Sequence, residues 1–490
     1  MPGSVVTVQL GQCGNQVGTE LFSTLAREAD ACSGSTRDEI LDAFFRTPNA
    51  RRDRAGSSKF PDDFPDASTP TARAVLIDME PKVVQSSVRI AKKSGRWRFD
   101  TARTLAFQSG SGNNWARGYN TYGGQVRETA CELIRKEVEQ CDFFGGFLLL
   151  QSMAGGTGAG LGAYVAQALR DEHPHAPLLN HCVWPYESGE VIVQSYNTLL
   201  TASALLDCSD GVIVAQNDSL HKTCVKQLRL PRPTFTDMNS VAAKQLAGVL
   251  LPSANREVGE NGGLIRMGDD KNGGGPGMMD TKTKNARNGR KTHGLHDVVT
   301  DVCCFPAARL LSLRQLPVLP QKSVEFETFT WPGLLKRTRQ MLLSGTTLEE
   351  GLDWGLEPTG GSTEKRDGKT PGRRNGYTKC FASSLFLRGE NSDLVDASAV
   401  GDPCLYPPWV PKPCSVNWSN SKFDGKEMSV TLLSNCQTPC PPIGRMLSRA
   451  YQMKSAGAYK HQYAEHGVGD DEFAEAFARV EDVLATYRAL

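Results

Sequence analysis

A glycine-rich run, SMAGGTGAGLG at residues 152–162, is the segment best suited to bind a ligand. It holds five glycines and two alanines and follows the apolar run FLLL. Glycine lets a backbone approach a ligand closely and adopt positive φ without steric cost. Backbone N–H groups in such loops, and at helix N-termini, bind phosphate. The run therefore predicts a phosphate-binding loop, with a tight loop packed against a neighbouring segment as the alternative.

Two common phosphate-binding motifs do not fit this run. A P-loop ends in lysine followed by serine or threonine, and no lysine follows these glycines. The dinucleotide fingerprint matches formally at 158–163, but it also requires an acidic residue about 20 positions later, at the end of the next strand. The next strand-like run, HCVWPY, is followed by no carboxylate before Glu187. A nucleotide-dependent metabolic enzyme is therefore the weaker alternative.

The elements that would position the loop alternate between short β-branched runs and helical patterns. Such repeated units predict an α/β fold with a doubly wound, mostly parallel sheet, whose ligands bind outside the carboxyl ends of the strands. The polar clusters GQCGNQ, DMEP, SMAGGTG and QND all follow predicted strands. The predicted strands cover 4–10, 73–79, 147–151, 181–184 and 211–216, and a helix is predicted over 190–206.

The length of 490 residues predicts more than one domain. Beyond the first domain, strands are predicted at 324–331, 380–389 and 428–436, and a helix with one apolar face closes the chain at 470–490. Residues 46–71 are predicted to be a solvated loop. The predicted division is a ligand-binding domain over 1–252, a disordered Gly-rich and basic insertion over 253–294, an intermediate α/β domain over 295–440 with a loop insertion at 356–379, and a C-terminal helical hairpin over 441–490.

Composition narrows the class of protein further. The formal net charge of +1 argues against a nucleic-acid binder, and no apolar run approaches the roughly 20 residues of a membrane span. The 14 cysteines contain no C-x-x-C pair at zinc-site spacing, so they are interpreted as free, mostly buried thiols.

Taken together, the motifs GQCGNQVG, GSGNNWARG and GGTGAG and the closing helix pair resemble the tubulin superfamily. The resemblance extends over nearly the whole chain apart from the three predicted loops. Within the superfamily, VTVQLGQCGNQ, ARAVLIDMEPKVV and WPYESGEVIVQSYN are most similar to the delta branch. The gamma and epsilon branches are the alternatives.

This resemblance implies that the first domain binds GTP and Mg²⁺. It places Asp78 and Glu80 near the magnesium ion and its waters. Asn217 and Asn239 would read the guanine edge, Phe235 would stack on the base, and Glu190 would bind the ribose. The implied nucleotide contacts are Gln12, Cys13, Asn113, Asn114, Ser152, Gly155, Gly156, Thr157, Gly158, Glu190, Asn217, Phe235 and Asn239. Ala154 departs from the family by replacing the first glycine of its usual loop.

The family also implies head-to-tail contacts with other tubulins of alpha and beta type, with an epsilon type as a further candidate, and contacts with centriolar proteins. The acid that activates water for GTP hydrolysis would come from the next subunit, and Asp297 occupies that position. The implied setting is the cytoplasmic cytoskeleton, at centrioles and basal bodies, where triplet microtubules support cilium or flagellum assembly. A GTP-bound regulatory subunit that never polymerises remains an alternative.

Overall fold

The computed structural model describes residues 3–47, 69–189, 191–256, 293–324, 328–358, 376–410 and 412–490. In chain order the strands are β1 (Ser4–Leu10), β2 (Phe45–Arg46), β3 (Thr71–Ala72), β4 (Ala74–Asp78), β5 (Thr104–Ala106), β6 (Phe144–Ser152), β7 (Leu178–Trp184), β8 (Gly211–Gln216), β9 (Ala254–Arg256), β10 (Leu310–Leu316), β11 (Cys380–Gly389), β12 (Cys414–Ser419) and β13 (Met428–Cys436). Within the described ranges no helix has the length and apolar character that a membrane crossing requires.

Helices connect most of these strands and cover both sides of the sheet. They are α1 (Gly11–Ala31), α2 (Ser35–Phe44), α3 (Pro81–Ser94), α4 (Gly123–Val138), α5 (Gly162–Glu172), α6 (Gln194–Cys208), α7 (Asn217–Lys222), α8 (Phe235–Leu250), α9 (Leu295–Val302), α10 (Trp331–Leu343), α11 (Cys440–Ser455), α12 (Lys460–Ala464) and α13 (Asp470–Arg488). All 14 cysteines are free thiols.

One sheet of eleven strands has the order β5-β4-β1-β6-β7-β8-β10-β13-β11-β12-β9. Neighbouring strands from β5 to β10 pair in parallel. The strands β10, β13 and β11 pair antiparallel, and β12 lies parallel to β11. The short strands β2 and β3 form a separate pair. The predicted α/β fold with a doubly wound, mostly parallel sheet is confirmed.

Two apolar layers cover the sheet, one on each face. Alternate residues of β1, namely Val6, Val8 and Leu10, point into the layer formed with α4, α5, α6, α11 and α13. The opposite layer contains Val5 together with α1, α3, α8 and α9. This alternation follows from the two-residue period of a strand, which sends successive side chains to opposite faces.

The C-terminal helices α11 and α13 form the predicted helical region and pack on α6. The Tyr451 ring of α11 stacks on Phe477 of α13, with ring centroids 3.9 Å apart. The predicted apolar face of α13 is buried at Phe473, Phe477, Val480, Leu484 and Tyr487. Burial of these side chains therefore attaches α13 to the layer that covers the sheet.

The junction between β8 and β10 has the fewest paired residues of any two neighbouring strands in the described part of the eleven-stranded sheet. It contains two residue pairs, Leu310 with Val212 and Leu311 with Ile213, whereas β10 and β13 share six. The hydroxyl of Tyr487 accepts a 2.8 Å hydrogen bond from the Leu310 backbone N–H. Helix α13 therefore supports the strand at this junction.

Several sequence predictions differ from the structure in detail. The strand predicted over 324–331 is not found in its described part, because Thr330 accepts a hydrogen bond from the Gly333 N–H and α10 begins at Trp331. Helix α6 begins at Gln194, four residues later than predicted. Strand β9 occupies the start of the predicted insertion.

Most of the three predicted loops lies outside the described residues. The parts outside the description are 48–68, 257–292 and 359–375. The division into domains at 252, 294 and 440 stays a prediction.

Candidate functional site

The predicted nucleotide residues lie at the carboxyl edge of the parallel strands. Gln12 follows β1 by two positions, Asp78 is the last residue of β4, and Ser152 is the last residue of β6. Asn217 comes directly after β8. Because parallel strands end at the same edge of a sheet, these residues share one end of the domain. Glu190 lies outside the described residues.

The glycine loop packs tightly against neighbouring backbone. A Cβ on Gly156 would lie 2.7 Å from the Asn114 carbonyl oxygen, and one on Gly158 would lie 3.2 Å from that of Leu10. A Cβ on Gly155 would meet only one atom within 4 Å in the described part of the chain, at 3.9 Å. The missing side chains at Gly156 and Gly158 therefore allow close packing, and Gly155 borders open space that a ligand can fill.

Asn113 and Asn114 have different surroundings. Asn113 is exposed and has a φ of 54°. Asn114 is buried, its Nδ2 donates to the Gln462 carbonyl oxygen at 2.9 Å, and its Oδ1 accepts from the Arg117 N–H at 3.1 Å. The Asn114 amide is therefore engaged within the protein, and Asn113 is the one of the two that faces solvent.

Asn197 in α6 organises this region, although the sequence analysis did not assign it a role. Its buried Nδ2 donates to the carbonyl oxygens of Asn113 at 2.7 Å and Ala154 at 2.6 Å. Its Oδ1 accepts from the Trp115 N–H at 3.0 Å and from the Tyr463 hydroxyl at 2.6 Å. The only signal in the sequence was the place of this asparagine at the end of WPYESGEVIVQSYN, a motif that resembles the delta branch.

A hydroxyl pair joins the glycine loop to the same segment. Ser111 Oγ and Thr157 Oγ1 lie 3.0 Å apart, and either can donate. Ser111 is buried and Thr157 is half-buried. The two segments predicted to contact phosphate are thus bonded to each other, both through this pair and through Asn197.

Asp78 and Glu80 form the acidic part of the site. Burial raises the pKa of the Asp78 carboxyl to about 6, although hydrogen bonds from the Glu80 and Met79 backbone lower it. Asp78 Oδ2 is buried and has no hydrogen-bond partner among the described residues, whereas Glu80 is exposed. An unpartnered buried carboxylate oxygen fits a site for a cation or its waters, because ionised carboxyl groups avoid burial without a partner.

The described residues do not form a complete metal cage in this region. Within the described ranges, no group of three or more His, Cys, Asp or Glu side chains converges in a way that could hold a metal ion. Mg²⁺ usually keeps several waters and is held by one or two carboxylates plus substrate phosphates. Asp78 and Glu80 are compatible with that kind of site.

Three residues predicted to contact the base lie on α7 and α8. Phe235, the first residue of α8, is 51% exposed, which leaves its ring face open for stacking. Asn239 is buried, and its Nδ2 lies 3.4 Å from Gln16 Oε1 on α1. Asn217 is half-buried at the start of α7. These residues therefore bring polar amides and one exposed aromatic ring to the same edge of the sheet.

Gln12 and Cys13 lie in the first turn of α1. Gln12 is exposed, and Gly11 before it has a φ of 69°. Burial raises the pKa of the Cys13 thiol to about 12, so it stays protonated at neutral pH. The N–H groups of this turn are available for an anion at the helix N-terminus.

Asp297 lies at the opposite end of the sheet from the glycine loop. Its Oδ2 accepts a 3.0 Å hydrogen bond from the Gly294 N–H and so caps α9. Leu295 of this helix packs beside Gly146, near the start of β6, and its Cδ2 lies 3.2 Å from the position of a Cβ there. The glycine loop follows the other end of β6, about 20 Å of strand away. Asp297 is therefore remote from the carboxyl edge of its own chain.

Comparison with known proteins agrees with this arrangement. Residues 4–225 match the family model described as "Tubulin/FtsZ family, GTPase domain". The chain is 35% identical over 486 residues to the tubulin delta chain of Macaca fascicularis and 36% identical over 499 residues to that of Mus musculus. Each alignment covers 99% of both proteins. This chain therefore belongs to the tubulin family.

The relatives also bear on the branch of that family. The identity to the tubulin beta-3 chain of Zea mays is 24%, over 99% of this chain and 94% of the relative. Similarity to the delta chains is thus clearly greater than to this beta chain. The resemblance to the delta branch that the sequence motifs indicated is confirmed.

Proposed function

We propose that this chain binds GTP with Mg²⁺ at the carboxyl edge of its parallel sheet and acts as a cytoskeletal protein of the delta-tubulin type. The observation that carries the proposal is the similarity to delta chains over 99% of both proteins, together with a family model of a GTPase domain over 4–225. The open space at Gly155 and the unpartnered Asp78 Oδ2 support a phosphate and cation site there.

The roles of individual residues follow from their chemistry. The amides of Asn217 and Asn239 can each donate and accept hydrogen bonds, which suits the guanine edge. Phe235 stacks on the base, and Glu190 binds the ribose. The remaining proposed contacts with phosphate come from Gln12, Cys13, Asn113, Asn114, Ser152, Gly155, Gly156, Thr157 and Gly158. The Asn114 amide is already bonded to Gln462 and Arg117, so Asn113 is the better donor to phosphate of these two asparagines.

Asp78 and Glu80 are the residues that would hold the magnesium ion. A bound Mg²⁺ neutralises phosphate charge and orients the phosphates. At neutral pH the Asp78 carboxyl, whose pKa is about 6, is mostly ionised, and a cation would stabilise it further.

Head-to-tail contact with other tubulins would complete the site. Asp297 lies too far from its own glycine loop to act on a ligand there, so its carboxylate would serve a neighbouring subunit as a general base for water. Such a heterologous interface repeats along a filament and does not close. Partners of alpha, beta or epsilon type and centriolar proteins fit this proposal, with a role in triplet microtubules and in cilium or flagellum assembly.

The proposal is tested first by nucleotide binding and then by location. Purified full-length protein should bind GTP with Mg²⁺ and select it over ATP by at least tenfold. A tagged chain should concentrate at centrioles or basal bodies in ciliated cells. Absence of nucleotide binding would overturn the biochemical part, and a diffuse signal in cells with intact basal bodies would overturn the location. Location without incorporation into filaments would favour the GTP-bound regulatory subunit.

A further inference from the structure

The segment from Tyr459 to Gly467, which contains α12, is bonded to the region that we propose binds phosphate. The Gln462 carbonyl oxygen accepts from Asn114 Nδ2 at 2.9 Å. The His466 carbonyl oxygen accepts from Asn120 Nδ2 at 2.7 Å. The Tyr463 hydroxyl donates to Asn197 Oδ1 at 2.6 Å. These contacts join the C-terminal part of the chain to residues more than 260 positions earlier.

Asn197 has no unused hydrogen-bonding capacity. An amide offers two donor hydrogens and an oxygen with two lone pairs. The hydrogens bond the carbonyl oxygens of Asn113 and Ala154, and the oxygen accepts from Trp115 and Tyr463. Because Asn197 is fully buried, water cannot replace a lost partner without rearrangement. The position of Tyr463 thus determines how firmly the amide holds the other three groups.

Tyr463 is itself held in one orientation. Its side chain is fully buried, with its ring centroid 5.4 Å from Tyr196 and 5.5 Å from Phe473. Burial raises the pKa of the Tyr463 hydroxyl, so it remains a donor throughout the physiological range. The hydroxyl donates to Asn197 Oδ1 at 2.6 Å, and the Val193 carbonyl oxygen, at 3.5 Å, is a longer second acceptor.

We propose that Tyr463, acting through Asn197, is a positioning residue for the two phosphate-contacting segments, around Asn113 and around Ala154. Nucleotide binding and the docking of the segment Tyr459–Gly467 are then coupled, because the phosphates and the Asn197 amide each fix the same two backbone segments. The coupling is reciprocal: the nucleotide stabilises the docked segment, and the docked segment increases nucleotide affinity. This inference rests on the proposed GTP site.

The test replaces the hydroxyl alone, with Tyr463→Phe in the full-length chain. This variant loses the buried hydrogen bond from the Tyr463 hydroxyl to Asn197 Oδ1. The affinity for GTP should therefore weaken about 5- to 30-fold. Guanosine, which lacks phosphates, should bind the variant within about twofold of the parent, because Asn217, Phe235 and Asn239 are untouched. A merely structural role would weaken both ligands alike, and that result would overturn the proposal.

The matched control is Tyr451→Phe. Tyr451 also belongs to the C-terminal helices and its hydroxyl donates to Glu481 at 2.9 Å, but it contacts neither phosphate-contacting segment. The control should leave the affinity for GTP unchanged. Parental GTP affinity in a folded Tyr463→Phe variant would also overturn the proposal.

A second measurement does not depend on the nucleotide. In nucleotide-free protein, Tyr463→Phe should accelerate amide hydrogen exchange in 113–121 and 153–157 relative to the Tyr451→Phe control. Unchanged exchange in both segments would show that Tyr463 does not position them. If the parent binds no GTP, the proposed function fails, and this measurement still decides whether Tyr463 positions the two segments.

Discussion

The backbone N–H of Glu80 donates a 3.3 Å hydrogen bond to Oδ1 of Asp78, and Oδ2 of the same buried carboxyl has no partner among the described residues. One oxygen is thus oriented by the protein, and the other is left for a ligand. Two predictions depend on this asymmetry.

The first prediction concerns magnesium and pH. Because burial raises the pKa of Asp78 to about 6, the carboxyl gains a proton as the pH falls through that value. The neutral carboxyl attracts a hydrated cation less strongly than the carboxylate does. The increase in GTP affinity caused by Mg²⁺ should therefore be largest above pH 7 and decline about tenfold by pH 5. Titrations with and without Mg²⁺ at several pH values measure it, and an equal increase at pH 5 and pH 8 would contradict it.

The second prediction concerns the stability of the nucleotide-free protein. The folded-state pKa of about 6 lies above the ordinary value of 3.8, so the folded chain binds this proton more tightly than the unfolded chain. This contribution to stability is full below about pH 4 and is lost as the pH rises through about 6. Asp78→Asn should therefore raise the free energy of unfolding by about 1–2 kcal/mol at pH 8 while weakening the Mg²⁺ effect.

Denaturant unfolding at pH 8 measures that change. Glu80→Gln is the control, because Glu80 is exposed and its neutralisation should change stability by less than about 0.5 kcal/mol. If the nucleotide-free Asp78→Asn protein is less stable than the parent at pH 8, the prediction is wrong, because the ionised Asp78 carboxylate must then stabilise the folded chain.

The third prediction tests base recognition. Asn239→Ala removes a buried amide, so a polar group of the guanine base would be left without a hydrogen-bond partner. The free energy of GTP binding should therefore weaken by about 1–3 kcal/mol. The preference for GTP over ATP should shrink with it, since the lost contact reads the base. Competition binding with both nucleotides measures the ratio. Asn420→Ala, at an exposed asparagine, is the control, and an unchanged preference in Asn239→Ala would remove Asn239 from the base site.

The fourth prediction tests hydrolysis in trans. Asp297→Asn keeps an oxygen that can cap α9 at Gly294 but removes the charge needed of a general base. A positioned base typically contributes about 10²–10⁴-fold, so single-turnover hydrolysis in mixtures with partner tubulins should fall on that scale. GTP binding by the isolated chain should not change. Hydrolysis that is independent of protein concentration and of the substitution would leave Asp297 with its capping role alone.

Much of the fold follows from local sequence signals. The predicted strands at 4–10, 211–216, 380–389 and 428–436 coincide with β1, β8, β11 and β13. Each is a short run rich in apolar residues, and each forms a strand that is almost entirely buried, so local propensity and tertiary packing agree. The strand predicted over 324–331 was wrong in its described part because Thr330 and the following Pro332 favour a helix start, and this local signal outweighs the aromatic residues beside it.

The site is less predictable from the sequence, since its support is long-range. Polar residues after strands could be assigned to one edge, because a parallel sheet brings strand ends together. The bond between Asn197 and Tyr463 joins residues 266 positions apart, and no periodicity relates them. The engagement of Asn114 by Gln462 depends on the same C-terminal helices. Motifs therefore predicted which residues contact the ligand, and only the folded chain reveals which residues hold those segments in place.

The narrow junction between β8 and β10 has a mechanical consequence. A tensile load applied between the parallel half of the sheet and the β10–β13 half would act there on two residue pairs, on the hydrogen bonds from the Arg309 side chain to the carbonyl oxygens before β8, and on the Tyr487 hydroxyl bonded to Leu310. Because the neighbouring β10–β13 seam contains six pairs, we expect the sheet to yield first at this line. Helix α13 would then act there as a brace, and we expect the resistance of this junction to tension to depend on the turn of α13 that carries Tyr487.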